Sequence, residues 1–376
     1  MNNVYINKVA KFLPNQPVSN NDMELILGQI GDKPSRVKRI ILRSNGIKQR
    51  YYVIDKKQNI CFSNAEITAN AIKNLNFDLD MIDTLSCGTT LPDQLMPNHA
   101  VMVHGELKSK PCEVIATAGI CLSGITALKH AYMSIKCNES QYAIATGSET
   151  VSTLLHAKNF QEESKTEEKE FQKHPEIAFE KDFLRWMLSD GAGAMLLQNR
   201  PNKSTISLKI EWLEILSFAN EMDVCMYAGG DILNNKFKGY REFTQEEWLS
   251  NSLFTIKQNV KLLNSNIADV TVTKALNIII KKHKLKVEDI DWFLPHYSSE
   301  YFREEVTRSL INANFNIPKE KWFTNLTSCG NTGSASIYII IEELFNQNKF
   351  KKGEKVLCYV PESGRFSTSF MLLEVV

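Results

Sequence analysis

Of the eight cysteines, Cys121 stands where a thiol can be made to react. Residues 114–128 read VIATAGICLSGITAL. A run of β-branched and small residues ends at Cys121. After it Leu122, Ile125, Leu128, Ala131 and Ile135 recur at three- and four-residue steps, the spacing of one helical face. The chain therefore goes strand, tight turn, helix, with the thiol at the turn. A thiol at a helix start faces unpaired backbone N–H groups and the positive end of the helix dipole, and both favour thiolate. Thiolate is the form that acts as a nucleophile. A cysteine taken alone is more simply a small buried hydrophobe. Gly124, close behind Cys121, lets backbone or substrate come near. Two later polar turns point the same way: PHYSS, with His296, and CGNTGSAS, with Asn331.

The elements that must hold these turns alternate in type. Buried strands are expected in DMIDTLSCGTT (80–90), YAIATG (142–147) and LSDGAGAMLLQ (188–198), with helices over 64–76 and 98–107. The second half is expected to begin with the strand SLKIEWLEIL. A long helical tract over 246–265, an amphipathic helix over 273–284 and a strand ending at His296 then follow. WFTNLTSCGNTGSASIYIII reads as strand, Gly-rich turn, helix, and the chain closes on two strands joined at ESGRFS. The halves look duplicated. FDLDMIDTLSCGTT matches LKVEDIDWFLPHYSS in pattern, and the strand–turn–helix at Cys121 matches the one at Asn331. This predicts α/β layers with mixed sheets and two halves, 1–200 and 201–376. Equivalent turns would then face each other, with Cys121 opposite His296 and Asn331.

The 376 residues suffice for two such units, and the net charge of +1 implies neither nucleic acid nor a membrane surface as partner. The longest apolar runs, such as IYIII, are too short to span a bilayer. Scattered cysteines without paired Cys/His spacing argue against a metal site and for a reducing, cytoplasmic setting, and no signal-peptide pattern opens the chain. Residues 157–182 are dense in both charge signs and read as a solvated surface insertion. Seven basic residues between Lys33 and Arg50, Arg43 among them, read mainly as a solvated face, with a phosphate landing site as the functional alternative.

In order along the chain, FLPNQPVSNNDM, RSNGIKQR, TTLPDQLMP, ICLSGITAL, TGSE, SDGAGAMLL, DWFLPH, GNTGSAS and the closing strand pair resemble the thiolase superfamily. The nearest type is the ketoacyl-acyl-carrier-protein synthase III condensing enzyme, and the resemblance covers essentially the whole chain. It implies a five-layered αβαβα sandwich, usually a homodimer. It implies a catalytic set of Cys121, His296 and Asn331, acyl-carrier-protein or CoA thioesters as partners, and no cofactor. Cys121 would take the acyl group. His296 and Asn331 would donate hydrogen bonds to the carbonyl of the second thioester as it becomes an enolate. The Cys121 N–H and the closing turn, at Gly364 or Arg365, would form the oxyanion hole. Met96 matches the place where the partner subunit's side chain enters the acyl pocket, and its plainer reading is a core methionine. Cys329 is a packed turn residue, and His99 and His104 are structural.

The departures from that family are specific. ESGRFS stands where a Gly-Gly-Gly run is common, and Arg365 puts a charge near the site. Glu149 of TGSE is a buried-looking acid suited to additional acid/base work. Arg303 is a surface helix arginine whose functional alternative is a pantetheine-phosphate contact. IATAGICLSG, TTLPDQLMP, PESGRF and the insertion together resemble the ketosynthases of dialkylresorcinol and flexirubin-type pigment pathways. Those enzymes join a β-ketoacyl thioester to an α,β-unsaturated acyl thioester by one Claisen condensation and one Michael addition, closing a cyclohexane-1,3-dione. The competing readings are a fatty-acid-initiating acetyl-CoA/malonyl-carrier enzyme, an O- or N-acyltransferase, and a silent partner subunit.

Overall fold

The computed structural model describes residues 2–30, 34–35, 38–160, 184–234 and 236–376. Residues 161–182 of the expected insertion, and Lys33 and Arg36 of the basic stretch, lie outside the described residues. Nine strands form one mixed sheet: β1 (Tyr5–Phe12), β2 (Thr84–Thr89), β3 (Glu113–Ala118), β4 (Ala143–Glu149), β5 (Gly191–Gln198), β6 (Leu208–Ser217), β7 (Trp292–Pro295), β8 (Lys355–Glu362) and β9 (Ser367–Val375). Their order is β7-β8-β9-β6-β1-β5-β4-β2-β3. The first five strands run β1-β5-β4-β2-β3 outward from the middle. The last four run β6-β9-β8-β7, the same order short of one strand. The two groups join at Tyr5↔Lys209 and Ile6↔Leu208, with the Ile210 N–H donating to the Val4 carbonyl at 2.9 Å.

Helices cover both groups. α1 (Asn64–Lys73) and α2 (His99–Leu107) pack on the first. α3 (Leu122–Lys136) and α7 (Ser336–Asn346) touch strands of both and form the central layer. α4 (Val260–Ala268), α5 (Ala275–His283) and α6 (Arg303–Asn312) lie against the second, with the π-helical turn Asp269–Lys274 packed on β9. This is the five-layered α/β arrangement expected. β4 is buried at every residue, and a strand covered on both faces reads as an unbroken run of small and apolar side chains. The IYIII run of α7 is buried on all sides because a sheet lies on either face. Among the described residues no helix is long and apolar enough to cross a membrane.

The central layer closes through two glycines. A Cβ on Gly124 would lie 2.3 Å from the Ser334 carbonyl oxygen, and a Cβ on Gly147 would lie 2.2 Å from the same atom. Only glycine lets the Ser334 turn nest between α3 and β4. The Tyr338 hydroxyl then donates to the Gly124 carbonyl at 2.7 Å.

Two expected elements are corrected. The 246–265 tract is not one helix. A short helix, Gln245–Ser250, stops at Ser252, whose φ is +46°. Lys257–Gln258 then pairs with Met226–Tyr227, and Asn259 caps α4 by accepting the Leu262 N–H at 2.9 Å. The strand expected in WFTNLT shrinks to one parallel bridge, Phe293↔Trp322, where a fifth strand of the second group would have continued the order. The chain turns away there into the helical turn Leu326–Cys329, held by the Asn325 amide on the Glu343 carboxylate at 3.0 Å.

Candidate active site

Cys121 sits at the N-terminus of α3, half-buried. The backbone N–H groups on either side of it are not unpaired. Both donate to Oε2 of Glu362: Ile120 at 2.8 Å and Leu122 at 3.1 Å. Burial first, then the charges of Glu362 and Glu149, pushes the Cys121 thiol well above its ordinary value. The sequence predicts a resting thiolate, and the structure corrects this to a resting thiol. The helix dipole is still present, but a carboxylate has been placed on it.

His296 directly follows β7, its N–H donating to the Tyr359 carbonyl at 2.8 Å. Burial lowers the imidazole to about 4, so it is neutral at pH 7. Its ring makes no hydrogen bond with any described residue. Asn331 lies between Gly330 (φ +69°) and Gly333 (φ +53°), both in the left-handed region where a side chain is strained. Its backbone is tied to the 187–189 segment: its N–H donates to Met187 at 3.0 Å, and its carbonyl accepts from Ser189 at 2.8 Å. Its Oδ1 accepts the Gly333 N–H at 2.9 Å. That bond assigns the amide orientation and leaves Nδ2 as a donor without a partner among the described residues.

Cys121, His296, Asn331, Glu149, Glu362 and Gly364 all line one cavity of about 500 Å³. The rest of the wall is mostly apolar, with Leu188, Met226, Leu263, Ile267, Phe302 and Val306. Its size and its few converging polar groups suit a small-molecule or acyl-chain site. The N–H groups of Cys121 and Gly364 have no hydrogen-bond partner among the described residues. Gly364 packs so close that a Cβ there would lie 3.1 Å from Ile120 Cδ1. The guanidinium of Arg365 is exposed and donates through Nε and Nη2 to the Met222 carbonyl at 3.0 and 2.8 Å. Arg365 lines the cavity, as expected of a charge near the site, and its guanidinium is tied to the Met222 loop.

Glu149 is fully buried and braces two turns. Its Oε1 accepts from the Thr90 hydroxyl at 2.6 Å, the Thr90 N–H at 3.2 Å and the Ser334 N–H at 3.1 Å. Its Oε2 is buried with no partner among the described residues. Desolvation pushes its carboxyl up to about 7.

Other expected site residues lie elsewhere. Met96 is 86% exposed and outside the cavity of its own chain. Arg43 is exposed on the helix Lys38–Asn45, away from the cavity. Arg303 faces Glu300 at 3.6 Å and stacks over Trp322, although its neighbours Phe302 and Val306 line the cavity. Cys329 is buried outside the lining. His99 is buried beside Ser148 and Thr68, and His104 meets the Lys110 carbonyl. The sequence reading missed Glu362. The signal was present in PESG, where a charged residue replaces the first glycine of an expected glycine run.

Comparison with known proteins bears on the family and the fold. The family described as thiolase, N-terminal domain, matches residues 56–182, which hold Cys121. The family described as 3-oxoacyl-(acyl-carrier-protein) synthase III, C terminal, matches residues 280–371, which hold His296 and Asn331. A β-ketoacyl-(acyl-carrier-protein) synthase III of Clostridium perfringens is 26% identical over 312 residues, covering 83% of each chain. Among solved structures, a tetronic acid condensing enzyme superposes with a TM-score of 0.75 at 16% identity, over 99% of each chain. Xanthomonas campestris OleA with bound lauric acid and lauroyl-CoA superposes with a TM-score of 0.72 at 18% identity, also over 99% of each chain.

Proposed function

We propose, for a chain that is a ketoacyl synthase III-like condensing enzyme of the thiolase superfamily, that it joins two acyl thioesters and closes a ring. Cys121 takes an α,β-unsaturated acyl group from carrier protein or CoA. The second substrate is a β-ketoacyl thioester, whose carbonyl accepts hydrogen bonds from His296 and from Asn331 Nδ2. One Claisen condensation and one Michael addition then give a dialkyl cyclohexane-1,3-dione, a dialkylresorcinol precursor.

The observation that carries this reading is the pairing of a neutral His296 with a free Asn331 amide on the cavity wall that also holds Cys121. Uncharged donors placed in advance favour a negative charge that exists only in the transition state. The Cys121 and Gly364 N–H groups are the oxyanion hole. The unpartnered Oε2 of Glu149 supplies the additional acid/base group that ring closure needs.

The halves 1–200 and 201–376 act as one unit, and the repeated strand order supports that division. A second copy is expected at β3, an edge strand with small, partly exposed residues that bears the Cys121 turn. Met96 would reach that copy's cavity from its exposed loop. Arg43 and Arg303 remain candidates for a donor's phosphate only if side chains move.

The test is product extraction after mixing the protein with both thioesters. A cyclic dione supports the reading. A linear β-ketoacyl product formed only with a malonyl donor would make it a chain-initiating enzyme, and an ester or amide would make it an O- or N-acyltransferase.

A further inference from the structure

A malonyl donor generates its enolate by losing carbon dioxide and needs no base. A β-ketoacyl donor keeps its carbons, so a proton must leave its α-carbon. We propose that Glu362 is the general base that takes this proton, a role that rests on the condensing reading above. Its place in the fold carries the argument. Oε2 is locked by the Ile120 and Leu122 N–H groups, so the carboxylate is fixed against the nucleophile turn. Oε1 has no partner among the described residues. It lies beside Gly364, where a Cβ would be 3.5 Å away, and Glu362 lines the cavity with Cys121 and His296. A base must keep one lone pair free on the cavity while the rest of the group is held still, and this carboxylate has one oxygen locked and the other unpartnered among the described residues.

The step balances within the site. The donor's α C–H bond breaks, its proton goes to Glu362 Oε1, and the electron pair becomes an enolate whose oxygen accepts from His296 and Asn331. The enolate carbon attacks the acyl carbon on Cys121, a C–C bond forms, and the C–S bond breaks. Glu362 then returns the proton to the departing Cys121 sulfur and restores the resting thiol. Once Glu362 has taken the proton it is neutral. The tetrahedral oxyanion therefore forms at the Cys121 and Gly364 N–H groups without a carboxylate charge beside it. Glu149 differs in that its Oε1 is committed to three donors on two turns, which makes it a brace as well as a cavity wall.

Glu362 acts on the Cys121 thiol, as does Glu149, and shares the cavity wall with the neutral His296; Arg365 on its own turn donates to Met222. None supplies a positive charge to hold the carboxyl low, and burial raises it above the ordinary carboxylate range. The base acts only when ionised, so condensation rises with pH through that raised value.

The test compares wild type, Glu362→Gln and Glu362→Asp in two single-turnover readouts. Cys121 acylation by an α,β-unsaturated acyl-CoA is followed by intact mass, and condensation is followed after a β-ketoacyl-CoA chase across pH 5 to 9. Gln keeps an oxygen for the two backbone donors but cannot take a proton. The expected result is acylation no slower than wild type, because the carboxylate that raises the Cys121 thiol is gone, and condensation lowered by roughly 10²-fold or more, with the acidic limb of the pH profile gone. Asp recovers part of the rate and the limb. The proposal is overturned if Gln condenses at the wild-type rate, or if acylation and condensation fall together with the pH limb intact, which marks a positioning role. Failure of the wild type itself to form a C–C bond would instead overturn the condensing reading.

Discussion

The Asn331 side-chain oxygen accepts the Gly333 N–H at 2.9 Å, so the amide of Asn331 can present only its NH2 to the cavity. That bond turns an ambiguous side chain into a directed neutral donor. Asn331→Ala should lower condensation by about 10²–10³-fold and leave Cys121 acylation largely intact. Asn331→Asp keeps the bond to Gly333 but places an anionic acceptor where the enolate forms, and should be slower still. Single-turnover rates for the two half-reactions check both. An Asp variant as fast as wild type would remove Asn331 from the chemistry.

Gly147 and Gly124 hold that donor in place from outside the cavity. A methyl at Gly147 would meet the Ser334 carbonyl at 2.2 Å, and the obstacle is backbone that cannot swing aside. Gly147→Ala should therefore displace the Asn331 turn, with a stability loss of about 1–3 kcal/mol or more and condensation falling further than acylation. Thermal unfolding together with the two rates checks this.

Glu149 should make stability depend on pH. Its folded-state carboxyl stands at about 7 against an ordinary 4.5. A raised carboxylate leaves stability intact below 4.5 and costs stability as pH climbs toward 7, by about 3 kcal/mol if the shift is fully expressed. Glu149→Gln removes that ionisation. Its Tm relative to wild type should rise between pH 5 and pH 8, while Asp190, also raised to about 7, affects both proteins alike. Parallel curves would contradict the buried, desolvated state of Glu149.

The apolar wall should set acyl length. Ala268 is a small, buried residue of the cavity lining. Ala268→Leu adds three carbons to that wall and should shorten the preferred acyl chain by about three methylenes, each worth roughly 0.8 kcal/mol of burial. A panel of acyl-CoAs of increasing length, read by intact mass, checks the shift. An unchanged preference would place the chain elsewhere.

Cys121, His296 and Asn331 were legible because each sits in a short local signature at the end of a strand or the start of a helix. Their convergence was legible from the repeat, which puts equivalent turns face to face. Glu362 was not, because its meaning lies in bonds to Ile120 and Leu122, some 240 residues away in sequence. The protonation state of Cys121 was missed for the same reason: a helix N-terminus argues for thiolate until a carboxylate occupies it. The 246–265 tract misled because its apolar residues are split between elements: Ile256 before the Lys257–Gln258 strand and Leu263 on α4 both line the cavity. The breaks at Ser252 and Asn259 were its only local signs. The strand expected at 322–327 failed because Asn325 spends its amide on Glu343 and the Ile339 carbonyl.

The most direct measurement is the intact mass of wild type and Cys121→Ala after exposure to an α,β-unsaturated acyl-CoA, followed by a β-ketoacyl-CoA chase. The account predicts one acyl adduct on wild type, none on the variant, and loss of the adduct on chase with release of a product joined by a new C–C bond. An adduct on Cys121→Ala, or product from it at the wild-type rate, would contradict the account.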